Sequence, residues 1–179
     1  MSANISDLPE SIFIFTEEQK KKTLCLIGHG GKTLWENLPE VKSSNPIDDF
    51  SISQMNWFAE NILKSKIDIL FPDDEQIIKL QQLGRFLGLS HQSPLGFDIS
   101  NEFGLWFAFR GVFLTDKKIP LIKLAPQKFP CESCTEKLCL AASEISDARL
   151  KCPVKNEHQY GLEQRNYHQS VLYMPKKTS

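Results

Sequence analysis

No run of about eighteen apolar residues occurs in this chain, which excludes a membrane-spanning helix at the level of sequence. Charge of one sign is also missing. Lysine and arginine number 21 and aspartate and glutamate 22, for a net charge of -1. Such a balance lacks the basic footprint that nucleic acid or an anionic membrane surface requires. The N-terminal residues MSANISDLPE have no basic stretch followed by an apolar one, so they are not expected to act as a signal peptide, and cytoplasmic residence is the expectation. His-Glu-x-x-His, a Ser-His-Asp set and convincing paired carboxylates are all absent, leaving hydrolytic chemistry without support. There is no internal repeat and no low-complexity segment. What is present is ordinary for a globular protein: 41% hydrophobic and 24% charged residues over 179 positions, enough for one core, or one core and a short appended module.

Short apolar runs at Ser11–Phe15 and Thr23–Ile27 predict buried strands. Gly28-His29-Gly30-Gly31 ends the second run, and a short helix is expected from Lys32 to Leu38, before Pro39. Ser51 predicts a helix start, with Ile52, Met55, Ala59, Ile62 and Leu63 at helical spacing as far as Lys64. A strand over Lys66–Phe71 closes at Pro72, and the acidic triplet from Asp73 opens a helix running to Leu87. Phe97–Ile99 and Gly104–Leu114 then read as strands. Alternation in the second places Leu105, Phe107 and Phe109 on one face and Trp106, Ala108 and Arg110 on the other. Lys117 to Pro130 reads as a connector and Leu162–Met174 as a closing amphipathic helix. The order predicts an α/β or α+β layer fold. Two units are expected, a cofactor-binding-like domain over 1–125 and a cysteine module with the last helix over 126–179.

The five cysteines are spaced unevenly. Four of them form Cys131-x2-Cys134-x4-Cys139-x12-Cys152-Pro153, a set of thiolates able to hold an iron–sulfur cluster or a tetrahedral zinc. In a reducing compartment such a cluster of cysteines is expected to hold metal rather than to oxidise. Zinc sites usually join two Cys-x2-Cys hairpins, and only one such pair exists here. Three close cysteines and a distant Cys-Pro match the ferredoxin pattern, so spacing favours iron–sulfur, with zinc as the alternative and four unligated thiols as a third reading. Cys25 sits in mid-strand and reads as core.

Pro130 to Ser143 (PCESCTEKLCLAAS), followed by Lys151-Cys152-Pro153-Val154, resembles the double-cluster domain of bacterial ferredoxin-like proteins and of epoxyqueuosine reductase. Upstream, LCLIGHGGKTLW, NPIDDFS and SPLGFDISNEFGLWFAFRGVFL resemble segments of those proteins and of the cobalamin-processing proteins. The resemblance runs from about Leu24 to Leu172. It implies a nitroreductase-like sandwich with a C-terminal ferredoxin-like cysteine module. Two-cluster members carry a cysteine before a proline where this chain has Ser143-Glu144, and a further cysteine-rich insert that is missing here. The four retained cysteines all belong to one cluster of that pattern, implying a single [4Fe–4S] site.

Three further residues are candidates for cofactor contact. Arg110, in an aromatic strand, needs an anionic partner, either Asp98 or Glu102 across a hairpin or a bound group. In the family an arginine at the matching position lies near the substrate site. Trp106 and Phe107 read as core first and pocket wall second. Gly28–Thr33 lacks the glycine spacing of a Walker loop, so a tight turn or a cofactor-contacting loop presenting His29 is expected. His158 and His168 follow the last cysteine, with helix packing expected of His168. The functional expectation is a small iron–sulfur redox protein that passes electrons to a corrinoid, acting with a redox partner of unspecified identity and with no nucleic acid or membrane partner. Two alternatives stand beside it: a non-catalytic corrinoid- or zinc-binding module with a metal-stapled C-terminus, and a free-thiol enzyme using Cys131 or Cys134.

Overall fold

The computed structural model describes residues 1–40, 43–71, 78–120 and 127–173. Its centre is a four-stranded sheet in the order β1-β2-β6-β3, built from Ser2–Asn4 (β1), Thr23–Gly30 (β2), Asp68–Leu70 (β3) and Phe107–Thr115 (β6). Every described pairing is antiparallel, so the mixed helix and strand content takes the α+β form. A second ladder joins His91–Gln92 (β4) to Asp98–Ile99 (β5).

Both faces of β2 and β6 are covered, which is why their sequences are almost continuously apolar. Leu24, Leu26, Val112 and Leu114 face Ile5, Ile12, Phe13, Phe15, Ile78 and Leu83. Cys25 and Phe113, one position along, face the opposite layer, with Met55 buried between them and Ile52, Ile69 and Phe71 around it. A register shift between Ile27 and Gly28 bends β2 where it approaches the aromatic half of β6.

Helices occupy the two sides and the far end. They are Thr33–Glu36 (α1), Pro46–Phe58 (α2), Leu80–Phe86 (α3), Ile145–Lys151 (α4) and Leu162–Tyr173 (α5). Pro46 is pre-shaped for the first turn of α2, and the helix therefore starts before Ser51. The Ser51 hydroxyl instead donates back to the Ile47 carbonyl at 2.7 Å. A π-type turn over Ala59–Leu63 extends α2 and ends at Lys64 in the left-handed region. Among the described residues no helix is long and apolar enough to cross a membrane.

Several local expectations are corrected. Ser11–Phe15 is not a strand: it runs unpaired across the sheet, burying Ile12, Phe13 and Phe15 while Ile14 is 79% exposed. The edge strand is instead the short β1, held by backbone pairing together with buried Ala3 and a 2.9 Å hydrogen bond from the Ser2 hydroxyl to the Pro120 carbonyl. Strand β2 runs on through His29 to Gly30, so Gly28 and Gly30 lie within the ladder and only Gly31 turns, at φ 65°. The expected Lys66–Phe71 strand is shorter, and in the 73–87 segment only Leu80–Phe86 is a described helix, since 72–77 lie outside the described residues. Part of the expected connector, 121–126, and the end of the last helix, from Met174, also lie outside them.

Candidate functional site

The cysteines are placed by short, strongly turned elements. Cys131 and Cys134 lie on one turn, with the Cys134 amide donating to the Cys131 carbonyl at 3.4 Å. Lys137, left-handed at φ 47°, reverses the chain into a single 3-10 turn, Leu138–Ala141, that carries Cys139. Helix α4 then returns and ends at Cys152. Pro153 forbids the helical conformation there, and Cys152 adopts φ -73°, ψ 120°.

Three of these side chains meet the same apolar cluster. Buried Ile99, Leu105 and Cys152 form its centre, and Phe97, Phe129, Cys131, Cys139 and Val154 pack around them. Burial is the main cause that pushes the Cys131 thiol up, and the charges of Cys152, Cys139 and Cys134 add to it. Burial also raises Cys152; a backbone hydrogen bond from Val154 opposes this, and Cys139 and Cys134 reinforce it. All five cysteines are free thiols. Among the described residues no group of three or more His, Cys, Asp or Glu side chains is arranged to hold a metal ion. Cys25 stands apart in the sheet core, with its thiol pushed up to about 11 by burial.

Gly104 holds this corner against the sheet. It sits at φ 59°, and a Cβ there would overlap the Val154 carbonyl oxygen, two residues after Cys152. Its amide and carbonyl exchange hydrogen bonds with Ser100 at 2.9 and 2.8 Å. A residue with a side chain would be strained in conformation and would push the segment after Cys152 away.

Beside the corner lies a cavity of about 630 Å3, lined by Phe97, Leu105, Phe107, Phe109, Arg110 and Arg149 among others. The Phe107 and Phe109 rings meet edge to face at 5.2 Å. Arg110 does not pair with Asp98 or Glu102. It reaches the first turn of α2, 3.4 Å from Asp48. Asp98 is already engaged: Ser90 donates to it at 2.6 Å, and Arg85 Nε stands 3.7 Å from its other oxygen.

Trp106 and His29 are not on this cavity. Trp106 is 1% exposed and meets Tyr160 edge to face at 5.4 Å. His29 stacks on Tyr160 at 6.0 Å, and His168 lies 5.5 Å from the same ring. Burial, with the Arg110 charge next, lowers both imidazoles to about 4, so they are neutral at pH 7. His158 instead packs edge-on against Phe103 at 5.1 Å. Sequence reading singled out neither Arg149, Tyr160 nor Arg165. They converge on Trp106 from α4, a loop and α5, without a motif spacing to announce them.

No protein-family model matches the chain, and no curated protein matches it.

Proposed function

We propose that the chain is a small redox protein holding one [4Fe–4S] cluster through Cys131, Cys134, Cys139 and Cys152, with the adjoining aromatic cavity receiving its acceptor. The observation that carries this reading is the packing of Cys131, Cys139 and Cys152 around one pair of residues, Ile99 and Leu105. Three thiols on one apolar cluster, with Cys134 one turn from Cys131 and no disulfide among the four, are by their chemistry a fitting donor set for iron or zinc. Their mutual repulsion as thiolates is what a central cation would relieve. Closing them on a common centre takes side-chain rotation and a tightening of the half-exposed Cys131–Cys139 loop.

When bound, such a cluster supplies one-electron transfer at a potential tuned by hydrogen bonds to sulfur and by solvent exposure. The chain's own residues shape that setting. Ile99 and Leu105 keep water from the inner side, and the Val154 amide donates toward the Cys152 sulfur. Leu105 touches the cysteine corner and also lines the 630 Å3 cavity, so a molecule there is one side chain away from the donor. Phe107 and Phe109 offer flat apolar surface, and Arg110, tied to Asp48, offers a positive rim. A corrinoid resting one face of its ring on this wall is the acceptor suggested by the family resemblance, as is the nitroreductase-like character of the domain.

At Cys131 the free-thiol reading has an observation against it. An activated cysteine is held low in pKa by positive surroundings, whereas burial and neighbouring thiols push Cys131 the other way. Protein prepared without oxygen tests the proposal. Visible absorption bleached by dithionite, with iron and sulfide in equal amounts, supports it. Colourless protein with stoichiometric zinc would make the corner a structural staple and remove the redox function.

A further inference from the structure

A second cavity, of about 770 Å3, lies between α4, α5 and the start of β6. Its lining includes Trp106, Arg149, Tyr160, Arg165 and His168, with Ile145, Leu150 and Leu162 on the apolar side. Ten buried side-chain nitrogen or oxygen atoms are left without a hydrogen-bond partner among the described residues, and five of them belong to side chains that line this cavity. They are Trp106 Nε1, Arg149 Nε, the Tyr160 hydroxyl, which faces the Arg149 guanidinium, Arg165 Nε and His168 Nε2, and the unpaired ring nitrogens of His29 lie next to them against Tyr160. Folded proteins leave few such atoms unpaired, and rarely several together, because each keeps the cost of leaving water. A concentration of them around one hollow marks a place where something polar binds.

The chemistry of the lining selects what that is. Trp106 is 1% exposed and Tyr160 3%. The Trp106 nitrogen can only donate, as can both guanidinium groups. Arg149 is fixed over the rings of Trp106 and Tyr160, at 4.7 and 5.2 Å from their centres. Neither Arg149 nor Arg165 has a carboxylate within ion-pair range among the described residues. Among the described residues Glu144 is the one carboxylate lining the cavity, and it is exposed. Both guanidiniums are half-buried, and cations drawn that far from water are normally paired, so a negative group would complete the site.

We infer that this cavity is a binding site for a small organic carboxylate with a flat apolar body. The carboxylate is taken by the Arg149 and Arg165 guanidiniums with the Trp106 and Tyr160 donors. The body lies along the two rings and against Leu150 and Leu162. Forked guanidinium geometry matches the two oxygens of a carboxylate, which favours it over a single-atom anion. The site is separate from the aromatic cleft beside the cysteines, although Arg149 borders both, and it does not depend on a metal at that corner.

Calorimetric titration of the full chain with benzoate, benzamide and acetate tests the inference. Benzoate is expected to bind saturably, with benzamide weaker by at least about tenfold because it lacks the charge, and acetate weaker by a similar factor because it lacks the ring. Arg149→Gln and Arg165→Gln should each remove most of the preference for benzoate over benzamide. Arg149 also holds backbone, so Arg165→Gln decides if the first variant fails to fold. Equal binding of benzoate and benzamide, absence of saturable benzoate binding, or an unchanged preference in Arg165→Gln would each overturn it.

Discussion

Arg149 Nη2 donates a 2.6 Å hydrogen bond to the Leu105 carbonyl oxygen, tying the helix that ends in Cys152 to the residue against which Cys152 packs. A single side chain thus joins the cysteine corner, the aromatic cleft and the unpaired polar cavity. Charged hydrogen bonds to a buried carbonyl stabilise by about 1.5–3 kcal/mol, part of which is offset here by desolvation of the guanidinium. Arg149→Gln is therefore expected to lower the unfolding free energy by about 1 kcal/mol in urea titration, and to lower metal retention by loosening the end of α4. Unchanged stability and unchanged metal content would show that the bond does not position Cys152.

Gly104 makes a sharper case. Gly104→Ala would combine a left-handed backbone with a Cβ driven into the Val154 carbonyl. A loss of about 2 kcal/mol or more is expected, with reduced metal per chain in the protein that still folds. Gly88→Ala is a suitable comparison, since Gly88 is also left-handed but nothing lies within 4 Å of the added atom. If the two substitutions cost the same, the contact with Val154 carries no weight.

Acid should destabilise the protein through His29 and His168. Both are held near 4 in the folded state, below the ordinary 6.5, so the unfolded chain binds more protons between those values. Their contribution is complete above pH 6.5, is lost as pH falls toward 4, and changes no further below it. Two groups give a limiting slope of about 2.7 kcal/mol per pH unit. Asp98, raised by burial, works in the opposite sense from the ordinary carboxylate range upward. The check is a series of denaturant melts from pH 7 to pH 4.5 on the parent and on His29→Gln. A flatter profile in the variant is expected, and an identical one would mean that His29 is not buried neutral.

The parts of the fold legible in sequence are those where burial on both faces leaves little choice of side chain. Thr23–Ile27 and the Gly111–Leu114 half of β6 are such segments, because both packed layers need apolar residues there. Ser11–Phe15 has equally apolar composition, but composition reports burial and not hydrogen-bond partners, and this segment packs without pairing. Ser2–Asn4 was invisible for the converse reason: so short an edge strand, held largely by its backbone, asks little of its side chains. At the candidate site, the cysteines announced themselves by spacing. The partner of Arg110 did not, since Asp48 lies 62 residues away and reaches it only through the placement of α2. Likewise the polar cavity is assembled from residues that have nothing in common until α4 and α5 are packed against Trp106.

The two classes of cysteine offer a direct contrast. Cys25→Ala removes a thiol from the sheet core and should cost about 1 kcal/mol in stability while leaving metal content unchanged. Cys152→Ser removes a proposed ligand from the other corner and should lose metal together with order in the C-terminal segment, read by limited proteolysis.

Iron and sulfide analysis of anaerobically prepared parent and Cys152→Ser protein tests the central claim most directly. About four irons and four sulfides per parent chain, with most of both lost in the variant, is the expected result for a cubane held by these cysteines. Zinc in place of iron, or a Cys152→Ser protein that keeps its iron and sulfide, would contradict it.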